Sequence, residues 1–289
     1  MVVAVPSGVV PRDLRKEPVD DVLRRVERGL GVCLDRESAV TKRRSVGART
    51  HRGTWVRIEV RQLGKIAAQG QPANGVEAAE LLSGIAKPTW YGVLSWLDET
   101  SATVWRADEV QFVPAAPVRS RGSLRDAPEL PDAWWEALNT SLDNLARQRT
   151  TRLATPDTET ITQALVTTVI ERAFPDLVDS TITDEAWVPA HADLNWANLT
   201  SPEFWILDWE DHGRAPRGLD AANLWVSSLT VPPLAERVRQ ERRADLNTRS
   251  GKLMALFNCA KIVSDSGARH SPIFEPTARL AEKLIADLR

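Results

Sequence analysis

The chain has 289 residues, 43% hydrophobic and 26% charged, with a formal net charge of -2, which is the makeup of a soluble globular protein of one large domain or two lobes. This near-neutral balance leaves no basic surplus for nucleic acid, and no run approaches the ~20 apolar residues of a membrane span, so neither a nucleic-acid partner nor a membrane is expected. Cys33 and Cys259 stand far apart in largely apolar stretches, which argues against a disulfide framework or thiolate metal site and favours a reducing cytoplasm. Met1 to Val10 is mildly apolar but lacks a basic leader, so no signal sequence is expected. Eleven Trp against one Tyr is read as core filling.

Val19, Val22, Leu23, Val26 and Leu30 recur at helical spacing behind Pro18 and Asp20, predicting an amphipathic helix. Between Val40 and Leu63 the runs SVGART and TWVRIEV flank the turn-like His51-Arg52-Gly53, predicting a hairpin. A short helix is predicted over Val76 to Ile85, ending before Pro88, and two further strands over YGVLSWLD and ATVWRADEVQFV. Residues 1–113 thus read as a small amino-terminal lobe with an antiparallel sheet of about four strands. Pro114, Pro117, Pro128 and Pro131, with Arg119, Arg121, Gly122 and Arg125 between them, mark residues 114–130 as a loop-rich hinge.

Residues 131–289 are mainly helical in pattern. Trp134, Trp135, Leu138, Leu142 and Leu145 form one stripe, Ile161 to Phe174 another ended by Pro175, and helical patterning returns from Leu219 to the end. Within this region EAWVPA and FWILDW are short apolar runs that read as strands. The fold class is α+β.

The strongest chemical signal is HADLNWANL followed by WILDWED: His191, Asp193, Asn198 and, ten residues on, Asp208. A phosphoryl donor needs a divalent metal across its phosphates, and hard Mg2+ prefers a few oxygen ligands, here the Asn198 amide and the Asp208 carboxylate. Asp193 could accept the proton of an attacking hydroxyl, and His191 could brace the loop through a hydrogen bond to backbone.

His191-x-Asp193-x-x-x-x-Asn198 with the later Asp208 resembles the catalytic and metal-binding segments of the protein-kinase-like fold. The words HADLNWANL and ILDWEDHGRAPRGLDAANLW resemble the aminoglycoside phosphotransferase and choline-kinase-like branch, where the segment runs His-Gly-Asp-x-x-x-x-Asn, then Asp-x-Glu, then a further Asp before an apolar helix. The close match covers about residues 187 to 226. The resemblance implies a bilobal fold with a small sheet lobe and a larger helical lobe, Asp193 as catalytic base, Asn198 and Asp208 as Mg2+ ligands, Glu210 as an accessory acid of the metal site and Asp220 as a structural brace. It implies transfer of the γ-phosphate of ATP or GTP to a hydroxyl of a small molecule.

In the family a strand Lys, oriented by a helix Glu, holds the donor's phosphates. This chain has Arg57 at that place, which keeps the charge but changes the geometry. Its partner would be Glu77, favoured for its distance from Pro88, or Glu80. Of a glycine-rich phosphate loop only Gly47 is present.

Other readings stay open. The acceptor could be Ser or Thr of a precursor peptide, with a lyase as partner protein, or the chain could be a nucleotide-binding module without transfer. A metal cluster of His191, Asp208, Asp211 and His212 carries little weight, since no other His pair has helical ligand spacing. Arg214 and Arg217 could touch substrate or be plain surface residues.

Overall fold

In the smaller unit, alternation along one strand sets both faces of a sheet. The computed structural model describes residues 12–120, 124–156 and 159–289; Met1 to Val10, and Arg121 and Gly122 of the expected hinge, lie outside the described residues. Helix α1 (Asp20–Leu30) precedes strands β1 (Val40–Thr41), β2 (Ser45–Arg49) and β3 (Thr54–Gln62). Two short helices, α2 (Leu63–Gln69) and α3 (Gly75–Ala78), lead to β4 (Trp90–Asp98) and β5 (Thr103–Gln111). The five strands pair antiparallel in the order β1-β2-β3-β5-β4. Along β3, Val56, Ile58 and Val60 are buried and meet Trp105, Ala107 and the Leu23/Val26 stripe of α1. Each such side chain contributes about 1.5–3 kcal/mol through burial. The residues between them, Arg57, Glu59 and Arg61, line the opposite, half-exposed face.

The hairpin predicted for SVGART and TWVRIEV is present, and β1 adds a fifth strand to the four expected. The helix predicted over Val76 to Ile85 is a correction. Only Gly75–Ala78 is α-helical, a single 3-10 turn follows over Ala79–Leu81, and Leu82–Lys87 belongs to the larger unit. Gly84 stops the helix: its φ is +69°, and its carbonyl accepts from the Asn144 amide at 2.7 Å. Helix α2 has no clear apolar period, so nothing in its sequence predicts it.

The larger unit comprises Leu82–Lys87 and Ala115–Arg289. It contains β6 (Ala116–Pro117), α4 (Asp132–Arg147), α5 (Gln163–Ala173), β7 (Trp187–Ala190), β8 (Thr200–Ser201) and β9 (Gly213–Pro216). Five helices complete it: α6 (Leu219–Ser227), α7 (Pro232–Glu241), α8 (Arg243–Leu246), α9 (Arg249–Ser264) and α10 (Phe274–Leu288). Helix α9 is apolar on most faces because α5, α6 and α10 surround it, and Leu253, Met254, Leu256 and Phe257 are among the core residues it contributes. FWILDW, predicted as a strand, is instead an extended segment with one isolated bridge, Leu199 to Ile206. Its run ends because Asp208 takes a left-handed conformation, φ +65°, and Trp209–Asp211 coil into a 3-10 turn.

None of the eleven Trp is exposed. Cys33 is exposed and Cys259 is buried in α9, where burial pushes its thiol up to about 12. One thiol per chain is therefore expected to react rapidly with Ellman's reagent in native buffer and two after denaturation; rapid native labelling of both would contradict the placement of Cys259.

Candidate active site

Strands β7 and β9 form a short antiparallel ladder, from Trp187 opposite Pro216 to Ala190 opposite Gly213. Everything between them, His191 to His212, is therefore one excursion of chain closed at its base. Inside it Leu207 N–H donates to the Asn198 carbonyl at 2.8 Å, so that Asp208 follows directly on a residue tied to Asn198. Asp193, Asn198 and Asp208 come together through this closure, although no regular strand carries Asp208.

The loop from His191 is anchored by its apolar residues. Leu194 and Trp196 are buried, and Trp196 lies among Trp134, Trp135 and the hydroxyl of Ser228, to which its Nε1 donates at 2.9 Å. Alternating with them, Asp193, Asn195 and Ala197 remain partly exposed. The loop thus points its polar side chains outward because its large apolar ones are fixed in the core.

The start of the loop is held by a buried carboxylate. Asp220, in the first turn of α6, accepts from His191 N–H at 2.7 Å with one oxygen and from Ala192 N–H at 2.8 Å with the other. Ala192 has φ +74°, a conformation that costs a residue with a Cβ about 1–2 kcal/mol. Its carbonyl also accepts from Asn223 Nδ2 at 3.0 Å, so both ends of the residue are pinned by α6. Burial pushes the Asp220 pKa up, opposed by His191 and these two N–H donors. His191 is fully buried, and its Nε2 lies 2.8 Å from the Leu207 carbonyl. A carbonyl only accepts, so Nε2 carries the proton, and the ring ties the start of the loop to the residue before Asp208.

Asp193 has amide donors on both oxygens. Asn195 Nδ2 donates to Oδ1 and Asn198 Nδ2 to Oδ2, each at 3.0 Å. Both amide nitrogens also reach the Asp193 carbonyl, at 3.1 and 2.8 Å. Burial raises the Asp193 pKa and the neighbouring Asp208 carboxylate adds to the rise, while His191 and the two amides lower it. The result is a fixed, half-exposed carboxylate. Because the Asn198 nitrogen is committed to Asp193, its amide oxygen is turned away from that carboxylate; an amide oxygen and a carboxylate such as Asp208 are the kind of oxygen ligands a hard divalent cation takes alongside water and substrate oxygens. Among the described residues no three His, Cys, Asp or Glu side chains form a cage for a metal.

Glu210 sits on the 3-10 turn after Asp208, and its carbonyl accepts from Arg152 at 3.4 Å. His212 is buried and, like His191, packs edge-on against the Trp209 ring; its Nδ1 hydrogen-bonds the Trp209 carbonyl, and burial lowers its pKa to about 4. Asp211 accepts from the Thr155 hydroxyl at 2.6 Å. Arg217 pairs with Asp245 at 2.8 Å, while Arg214 is an exposed residue of β9.

In the smaller unit Gly47 is in mid-strand, opposite Arg57, and not in a turn. A Cβ there would meet the Trp55 indole at 2.2 Å, so the glycine makes room for a ring lying across the strands. Arg57 is flanked in register by Gly47 and Asp108. Glu77 accepts from Arg106 at 3.1 Å, an arginine that also pairs with Asp108, and Glu80 accepts from Trp90 N–H at 3.1 Å.

No protein-family model matches the chain, and no curated protein sequence does. Solved structures do. An amicoumacin kinase in complex with AMP-PNP, Ca2+ and Ami superposes with a TM-score of 0.54 at 11% identity, covering 93% of this chain and 94% of that one. A choline/ethanolamine kinase family protein from Mesorhizobium loti gives 0.54 at 13% identity over 94% and 99%, and an aminoglycoside-3'-phosphotransferase of type VIII gives 0.51 at 18% over 82% and 97%. The fold is the α+β, protein-kinase-like fold. At this level the resemblance first seen in HADLNWANL is borne out.

Two residues with a place in the site were missed from the sequence. Asn195 reads as one more polar loop residue, and Arg119 as one of several arginines in a proline-rich junction. Asp220→Ala is expected to destabilise the protein by about 3 kcal/mol, since two buried N–H groups lose their acceptor, whereas Ala192→Gly should stabilise it by about 1 kcal/mol by relieving the left-handed backbone. Chemical denaturation checks both, and shifts of the same sign would contradict this description of the loop.

Proposed function

We propose that the chain is a phosphotransferase that moves the γ-phosphate of ATP or GTP to a hydroxyl of a small molecule. The observation that carries this reading is Asp193: a half-exposed carboxylate, gripped on both oxygens, on a loop that also presents Asn198 and lies beside Asp208. Its raised pKa brings it closer to neutrality as a proton acceptor, and the two amides fix its direction. The kinds of protein that share the fold, an amicoumacin kinase and an aminoglycoside phosphotransferase among them, support a small-molecule acceptor.

Asn198 and Asp208 would hold Mg2+, with Glu210 as an accessory acid, and the ion when bound would neutralise and orient the donor's phosphates. His191 positions the loop through the Leu207 carbonyl, and Asp193 takes the acceptor's proton. In the smaller unit Arg57 is the residue proposed to meet phosphate, with Glu77 or Glu80 as a second-order support and Gly47 as a packing residue of the same strands.

An acceptor screen with labelled γ-phosphate, run with ATP and with GTP, tests the reading. Asp193→Ala is expected to lower transfer by at least about 10²-fold while nucleotide affinity stays within a few-fold of the unaltered protein. Full transfer by Asp193→Ala would remove Asp193 as the base, and absence of transfer to any hydroxyl acceptor by the unaltered protein would remove the activity.

A further inference from the structure

The segment after β5 runs along the Asp193 loop and delivers a cation to it. Ala116 and Pro117 pair with Ser201 and Thr200; Val118 N–H then donates to Leu199 O at 2.8 Å and Arg119 N–H to Trp196 O at 2.9 Å. Four consecutive residues are thereby fixed against the loop, and the Arg119 side chain lies over Asn195, donating from Nη2 to Oδ1 at 3.2 Å. The same Asn195 amide donates from its nitrogen to Asp193 Oδ1. One amide group therefore separates a guanidinium from the proposed base. The Asn195 oxygen is also taken by Ala197 N–H at 2.9 Å, so its orientation is fixed from three directions.

Among the described residues Arg119 combines three features: it is part-buried, its backbone is tied down, and no carboxylate pairs with it. Arg242, Arg217 and Arg106 of the same protein are held by carboxylates. Among the described residues Arg119 has no ion pair, and its one side-chain hydrogen bond is to a neutral amide. A half-buried guanidinium has five N–H donors in a rigid fork; among the described residues only the Asn195 oxygen takes one of them, on a segment whose backbone is tied to the loop. That is the arrangement of a group waiting for an oxyanion.

We propose that Arg119 is a catalytic residue that binds the oxygens of the phosphoryl group in transit. The inference rests on the phosphotransferase reading and adds to it a cation from the same unit as Asp193. In the step it serves, the acceptor oxygen forms a bond to the γ-phosphorus, the bond from that phosphorus to the β,γ-bridging oxygen breaks, the hydroxyl proton passes to Asp193 and the nucleoside diphosphate leaves. Charge gathers on the peripheral oxygens of the group being transferred, where a planar two-point donor is most effective. Asn195 keeps the guanidinium from collapsing onto the Asp193 carboxylate, which would quench both.

The test compares the unaltered protein with Arg119→Ala and Arg119→Lys by two readouts, each with a thermal melt to show that the variants are folded. Calorimetric binding of Mg2+ with a non-hydrolysable ATP analogue and with ADP needs no acceptor. The unaltered protein is expected to favour the triphosphate by about tenfold, Arg119→Ala to lose that preference and Arg119→Lys to keep part of it. A merely structural Arg119 would weaken both nucleotides alike, so an unchanged triphosphate-to-diphosphate ratio overturns the proposal even if transfer is seen in the unaltered protein. Where transfer is measured, kcat is expected to fall by about 10²-fold or more in Arg119→Ala with the acceptor KM little changed. A loss confined to the KM of an anionic acceptor, with kcat retained, would assign the guanidinium to the acceptor and also overturn it. Failure of the phosphotransferase reading shows separately, as no transfer by the unaltered protein.

Discussion

The candidate site depends on one buried carboxylate. Asp220 takes the N–H groups of His191 and Ala192, one on each oxygen, and so fixes the peptide from which Asp193 departs. A carboxylate removed from water in this way is costly by itself, and the two short N–H bonds are what make it tolerable. It also explains why a left-handed alanine persists at Ala192: strain of about 1–2 kcal/mol is small against the loss of two bonds to a buried charge. Trp196 secures the far side of the loop and the β7/β9 ladder closes its base, so Asp193 is presented on a loop anchored at its start, its middle and its base.

Chemical types and their order were legible in the sequence; geometry was not. The alternation of Val56, Ile58 and Val60 with Arg57, Glu59 and Arg61 is a strand pattern that a reader can turn into two faces, and the α1 stripe is equally plain. FWILDW shows the limit, because its apolar run comes from burial against the core and not from sheet pairing, and its end is set by the φ of Asp208, which no composition reveals. The helix expected up to Ile85 failed for a similar reason, a single left-handed glycine tied to Asn144 of α4, 60 residues away. His191, Asp193, Asn198 and Asp208 could be singled out because their spacing is a chemical order. Arg119 could not, because its partner Asn195 lies 76 residues along the chain and nothing local marks the contact.

The polar groups of the loop form a graded series. The Asp193 carboxylate is met by two neutral amides, and the cation that could neutralise it directly is kept one amide away at Arg119. An ion pair would hold Asp193 as a weak base. Neutral donors orient it while leaving burial to raise its pKa. The same economy applies at Asn198, whose nitrogen serves Asp193, which turns its oxygen away from that carboxylate and toward the role proposed for it as a metal ligand. Asp211 and His212, which follow at once in sequence, are instead absorbed into packing against Thr155 and Trp209.

The proposed phosphotransferase activity requires Asn198 and Asp208 to form, with a nucleotide, one divalent-metal site beside Asp193. Electron paramagnetic resonance of Mn2+ titrated into the protein with ATP present measures this directly. Nucleotide-dependent binding of the ion is expected in the unaltered protein, with affinity reduced by at least about tenfold in Asp208→Asn and in Asn198→Ala. Mn2+ affinity that is the same in all three proteins would contradict it.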